Sequence, residues 1–262
     1  MFERIATAYR NATVVVIGAG GIGSEIVRLT APAAAKVVVA DRQDSQLIAL
    51  KSSLETPATG IDSTSASKIR TASLDVTDSE AVDHFFDGLS EEGPAIDFLF
   101  YTAGILAIEP FVKTTAAAWK RSVEINLNGA FHCVHAAARS MLPRRSGSML
   151  LLGSIAGTRA RSGSRVNPVY NSTKAALSAF VNGAAMQLRP HGIRINCISP
   201  GPTATPMMGI QPPEVHASVR DITLDGRMNE PGEVAELALF VAGHGRFTGE
   251  DVGMGGGAGL GG

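Results

Sequence analysis

The sequence holds little of what metal, redox or membrane chemistry is built from. Its two cysteines, Cys133 and Cys197, stand far apart in 262 residues and form neither a paired-thiol nor a zinc-type motif. They read as reduced core residues of a cytoplasmic protein. Six histidines are scattered without ligand spacing, so no catalytic metal is expected. Charge of either sign is scarce in excess: 23 basic against 24 acidic residues leave a net −1, which removes the electrostatic reason to expect nucleic acid or an anionic membrane as partner. Long apolar runs are missing too. The stretch from Val14 to Ala40 is broken by Glu25, Arg28 and Lys36 and does not span a bilayer. The Met1-Phe2-Glu3-Arg4 start opens no apolar signal segment. No internal repeat is present, and the length suits one α/β domain with a substantial core, residues 1–262.

What is present is alternation. Short β-branched or apolar runs at Val14–Ile17, Val37–Ala40, Thr71–Leu74, Phe98–Tyr101, Ser148–Leu152 and Arg194–Ile198 recur with helical segments between them. This pattern predicts a parallel, doubly wound sheet of the Rossmann type, with ligands at the C-terminal strand ends. The Ser- and Thr-rich segment Thr56–Ser67 reads as a surface loop. Directly after the first strand comes Gly18-Ala19-Gly20-Gly21-Ile22-Gly23, then a segment with helical spacing. Strand, glycine turn and helix bring backbone amides and a helix N-terminus to a dinucleotide pyrophosphate. The second strand ends in Asp41, 18 residues after Gly23, where a carboxylate accepts hydrogen bonds from the adenosine ribose.

Tyr170 and Lys174 add the chemistry. Four residues apart, they share one helix face. A cation beside a phenol favours the phenolate and lowers its pKa, which makes the pair a proton-transfer device.

The motifs taken together resemble the short-chain dehydrogenase/reductase family, in its short single-domain branch. They come in the family's order: the glycine turn, Asp75-Val76, Ala103-Gly104, Asn126 in Ile125-Asn126-Leu127-Asn128-Gly129, Ser154, Tyr170 and Lys174, Pro200-Gly201, and the Arg227–Pro231 segment. The chain also departs from the pattern. Gly18 and Gly21 enclose only two residues, Tyr101 and Thr102 stand where two asparagines are usual, the interval from Ser154 to Tyr170 is long, and Gly255 occupies the place of an aspartate.

The resemblance implies an active site of Asn126, Ser154, Tyr170 and Lys174. Tyr170 exchanges the proton of the substrate hydroxyl, and Ser154 stabilises charge on its oxygen. Lys174 supports the phenolate and the nicotinamide ribose, and Asn126 positions a water beside Lys174. Asp75 accepts from the adenine amine or caps the helix starting near Ser79. Val76, Ala103 and Gly104 border the cofactor, and Pro200, Gly201, Thr203 and Thr205 border the nicotinamide. Asp41 repels a 2′-phosphate and selects NAD. Arg42 either pairs with such a phosphate or lies as a solvated stem over the adenine. The cluster Arg159, Arg161 and Arg165 meets an anionic substrate or forms a solvated loop face.

Residues 205–228, with Met207, Met208, Ile210, Pro212, Pro213, Val215, Val219, Ile222 and Leu224, read as a substrate lid or as a surface packed on the protein or a neighbouring subunit. The expectation is an NAD-dependent secondary-alcohol dehydrogenase (ketone reductase in reverse) acting on a small to medium apolar or cyclic substrate. The family resemblance implies a homotetramer. The alternatives are an NADP-dependent 3-ketoacyl-type reductase and a non-catalytic dinucleotide-binding sensor.

Overall fold

The computed structural model describes residues 2–54, 62–93, 95–158, 166–211 and 213–258, without the side chains of 2–5 and 218–221. A helix, α1 (Phe2–Tyr9), leads into β1 (Thr13–Ile17), and the chain then alternates: α2 (Gly21–Thr30), β2 (Lys36–Asp41), α3 (Asp44–Leu54), α4 (Ser63–Ser67), β3 (Ile69–Ser73), α5 (Ser79–Glu91) and β4 (Phe98–Tyr101). The second half holds α6 (Ala116–Val123), α7 (Gly129–Met141), β5 (Gly147–Leu152), α8 (Ile155–Thr158), α9 (Pro168–Leu188) and β6 (Ile193–Pro200). It closes with α10 (Pro206–Gly209), α11 (Pro213–Ile222), α12 (Pro231–Gly243) and β7 (Asp251–Met254).

Among the described residues all strand pairings are parallel, in the order β3-β2-β1-β4-β5-β6-β7. The central strands β1, β4 and β5 are apolar along most of their length because both sheet faces are covered. Val15, Ile17, Val38, Leu99, Tyr101 and Leu151 enter one core beneath α5, α7 and α9. Val14, Val16, Val37, Phe98, Phe100 and Leu150 enter the other, with α2 and α12. The strand order reverses between β1 and β4, so the crevice for a ligand opens at their C-terminal ends.

Six of the strands are those expected from the sequence. The seventh, β7, was not, because Gly253 and Gly255 interrupt the apolar pattern that marks a strand. Pairing to the edge of β6, from Cys197 with Asp251 to Pro200 with Met254, forms it. The expected loop Thr56–Ser67 needs a correction: residues 55–61 lie outside the described residues, but 63–67 form the turn of helix α4. Asp62 caps it, its carboxylate accepting the Ser65 N–H at 2.7 Å.

Candidate active site

At the end of β1 the chain reverses at Gly18, whose φ is +106°. A Cβ there would lie 2.7 Å from both the Ala103 nitrogen and Thr102 Oγ1, so only glycine fits. Gly23 solves a different problem: a Cβ would lie 1.9 Å from the Gly18 carbonyl oxygen, so its absence lets α2 pack onto the turn. Gly20 is the N-cap of α2 and offers no side-chain acceptor to the first amides of the helix. Among the described residues, nothing lies within 4 Å of where its Cβ would stand. An uncapped helix N-terminus beside open space fits a pyrophosphate. The three roles fall on Gly18, Gly20 and Gly23, while Gly21 lies against Thr205 and Pro206 and Ile22 packs beside the second core.

Asp41, at the end of β2, braces this turn. Oδ2 accepts the Ala19 N–H and Oδ1 the Gln43 N–H, both at 2.8 Å. Each oxygen retains a lone pair for a further donor. Arg42 Nη1 sits 3.6 Å from Asp75 Oδ2. Both groups are well exposed, so the pair is weak. The helix-capping alternative for Asp75 fails, since Asp78 caps α5 by accepting from Ala81 N–H. Asp75 Oδ1 instead accepts from the Thr77 amide and hydroxyl. Partial burial alone would raise the Asp75 carboxyl. The Thr77 bonds and the Arg42 guanidinium outweigh it and hold the group below the usual carboxylate range. Val76 is buried, and its carbonyl meets the His132 ring at 2.9 Å.

Asn126 lies fully buried in a π-helical turn, Glu124–Asn128, joining α6 to α7. Such single turns cluster at functional sites. Its Oδ1 accepts from Ile105 N–H at 2.8 Å, and its Nδ2 donates to Ile105 O and to Thr173 Oγ1, each at 3.1 Å. It therefore ties the segment after β4 to the helix that carries Tyr170. Gly104 separates Asn126 from Lys174: a Cβ there would lie 3.2 Å from Asn126 Oδ1 and 3.4 Å from Lys174 Nζ.

Ser154 stands just past β5, its Oγ accepting from Ala156 N–H at 3.2 Å. Tyr170 and Lys174 share one face of α9, with Nζ 5.8 Å from the phenol ring centre. Lys174 is 6% exposed, and Nζ donates to the Leu152 carbonyl at 2.7 Å. Burial pulls its pKa down to about 8, against a smaller opposing influence of Cys197. Tyr170 keeps part of its surface in the cleft but is enclosed enough that desolvation raises its phenol, which a hydrogen bond with Ser154 partly offsets. The expected lowering of this phenol is thus not what the protein alone provides, because loss of water outweighs the hydrogen bond with Ser154.

Three comparisons bear on this arrangement. The family model described as enoyl-(acyl carrier protein) reductase matches residues 17–258. Galactitol 2-dehydrogenase (L-tagatose-forming) of Cereibacter sphaeroides is 31% identical, over 88% of each chain. Cis-4-hydroxycyclohexanecarboxylate dehydrogenase of Sinomonas cyclohexanicum is 32% identical, over 90% of each chain. The chain belongs to the short-chain dehydrogenase/reductase family. The crystal structure of gox2181 superposes with a TM-score of 0.87 at 28% identity, covering 98% of this chain and 99% of that one. As a short-chain dehydrogenase/reductase, the protein is an oxidoreductase that uses a nicotinamide dinucleotide.

The family's third cofactor-side segment follows β6. Gly201 packs so tightly on the C-terminal strand that a Cβ would lie 3.0 Å from Gly255 Cα. An unbranched Gly255, in place of the usual aspartate, leaves that space. Thr205 caps α10 through its Oγ1 and rests against Gly21, which brings Pro200-Gly201 and the glycine turn to one cleft. Thr203 is buried and pairs with Asn229 in an isolated parallel bridge. Between these two lies the expected lid. Its Met207, Ile210 and Leu224 are left 40%, 83% and 82% exposed by the chain's own packing. Pro212, the side chain of Val219, and Arg159, Arg161 and Arg165 lie outside the described residues.

Sequence reasoning missed Asn167. Buried before Tyr170, it caps α9 by accepting from Val169 N–H at 2.9 Å, and its Nδ2 donates to Glu109 O and Thr114 Oγ1, both at 2.7 Å. The Asn-Pro pair opening a helix was the available signal. Tyr101 and Thr102 were noted only as departures; both hold parts of the site.

Proposed function

We propose that this short-chain dehydrogenase/reductase interconverts a secondary alcohol and a ketone with NAD, using Ser154, Tyr170 and Lys174 beside Asn126. The observation that carries this reading is the convergence of Ser154 with Tyr170, four residues before a buried Lys174, at the strand ends that also hold the glycine turn. The uncapped N-terminus of α2, Gly18, Gly20 and Gly23 suit the pyrophosphate, Asp41 the ribose, and Asp75, Val76, Ala103 and Gly104 the remainder. The bound nicotinamide supplies the hydride acceptor in oxidation and the donor in reduction. Tyr170 takes the hydroxyl proton as phenolate or returns it as phenol. Ser154, which acts on that phenol to lower its pKa, holds the substrate oxygen while charge develops on it. Lys174 places a positive charge next to the phenol. Oxidation should rise with pH and reduction should favour lower pH.

NAD is favoured because Asp41 stands at the end of β2, no Lys or Arg lies within Gly18–Gly23, and Arg42 is turned to Asp75. The exposed, 3.6 Å pairing of Arg42 supports the second reading, an NADP-dependent 3-ketoacyl-type reductase, in which that arginine leaves Asp75 for a 2′-phosphate. The named relatives are dehydrogenases of galactitol and of cis-4-hydroxycyclohexanecarboxylate, which supports a secondary alcohol and, through the second, a cyclic one; the apolar side chains of residues 205–228 support an apolar one. Residues 205–228 serve as the substrate lid of a single catalytic domain. Exposed Phe131 on α7 and Met186 on α9 support a homotetramer, and two buried unpaired cysteines support a cytoplasmic protein. The test is reduced-cofactor absorbance across alcohols and ketones with NAD and NADP, for wild type and Asp41→Ala. The substitution should move the efficiency ratio toward NADP. A wild type that prefers NADP would transfer the choice to Arg42, and no turnover on any alcohol would restore the sensor.

A further inference from the structure

Tyr101 ends β4 with its side chain fully buried, where a phenol is tolerated only if its hydroxyl is partnered. The partner is the Ile125 carbonyl, which accepts at 2.6 Å. Ile125 lies inside the π-helical turn, next to Asn126. Widening a helix by one residue takes carbonyls out of the regular ladder and leaves them in need of donors. Gly129, at the start of α7, makes room: a Cβ there would lie 2.7 Å from the Tyr101 oxygen and 2.6 Å from Val76 Cγ2. Thr102, the next residue, bonds instead to the glycine turn, its Oγ1 donating within reach of Ile17 O at 3.0 Å and Gly18 O at 2.9 Å. Two adjacent side chains therefore split the site between them, one holding the turn that presents Asn126 and the other the turn that faces the cofactor.

We propose that the Tyr101 hydroxyl is a positioning group for the reaction, fixing the register of the π-helical turn and so the aim of Asn126 toward Ile105 and Thr173. This rests on the reading of Asn126 as part of the catalytic site. Burial holds the phenol of Tyr101 well above its ordinary value, so it stays a donor throughout the working pH range.

The experiment measures kcat and KM for the best alcohol of the panel, together with NADH affinity by fluorescence, in wild type, Tyr101→Phe, Asn126→Ala and the double variant. Tyr101→Phe removes one oxygen and leaves Ile125 O unsatisfied. It should lower kcat about 5- to 50-fold with NADH affinity within about twofold of wild type. In the Asn126→Ala background the same change should cost less than about twofold, because the group it aims is gone. Thr102→Val, the neighbouring control, should weaken NADH binding instead. Where Tyr101→Phe fails to fold, Tyr101→Met, a flexible side chain that fills the space without a donor, should give the same selective fall in kcat. Wild-type kcat in Tyr101→Phe, an equal loss in both backgrounds, or a loss shared with NADH affinity overturns the proposal. Full turnover in Asn126→Ala overturns the reading of Asn126 itself.

Discussion

Burial at Tyr170 and Lys174 disfavours charge on both, so each group is held nearer neutrality than it would be in water. Tyr170→Phe keeps the ring and deletes only the ionisable oxygen. Turnover should fall by about 10² to 10⁴-fold or more with cofactor affinity retained, read by initial rates and an NADH titration. Lys174 carries a cost. Its pKa falls from 10.5 to about 8 by burial, a gap of about 2.5 units or about 3 kcal/mol favouring the unfolded chain. The sign follows from proton binding: between those values the unfolded chain holds the proton and the folded one does not. The penalty is full below about pH 8 and fades as pH rises to 10.5. Lys174→Met should therefore be inactive yet more stable at pH 7 by about 1–2 kcal/mol, after allowance for the orphaned Leu152 carbonyl. Denaturant melts should show that advantage shrinking between pH 8 and 10.5, and a variant less stable than wild type at pH 7 would refute the assignment. The pairing of Tyr170 with Lys174 was legible in sequence because a four-residue step fixes a shared helix face. The direction of the phenol's shift was not, because spacing carries no information on how much water a folded site excludes.

Elements show the same division. β1, the glycine turn and α2 were readable as a unit, since each has a local signature and all three agree. Gly23→Ala tests that unit: the added methyl would meet the Gly18 carbonyl at 1.9 Å, which only movement of α2 can relieve. Stability should drop by about 1–3 kcal/mol and NADH affinity by tenfold or more, read by melting and by titration. The helix α4 and the strand β7 escaped notice for opposite reasons. Asp62 builds α4 from a polar segment by capping alone, and β6 builds β7 from a glycine-broken one by offering an edge. The π-helical turn has no sequence signature of its own. It becomes visible only where Tyr101, distant in the chain, claims one of its carbonyls.

Across the whole molecule, the two ends of the segment proposed as a lid meet. Asn229 N–H donates to Pro202 O at 2.8 Å, Ala204 N–H donates to Asn229 O at 2.9 Å, and Asn229 Nδ2 reaches Met254 O on β7 at 3.0 Å. Asn229→Ala removes only the last of these. The lid should loosen at its root, raising KM for the alcohol severalfold while kcat at saturation and NADH affinity change little, as steady-state kinetics would show. An unchanged KM would mean that the backbone clasp suffices. Because entry and exit lie side by side, the sheet does not register how much chain is threaded between them. Each doubling of such a loop costs only about 0.6 kcal/mol of closure entropy. With this segment as the proposed lid, it is in effect a cassette: a lineage, or an experimenter, can exchange it for one of another length and lining and so change the menu of alcohols, while the residues beneath, proposed to handle the proton, are inherited intact.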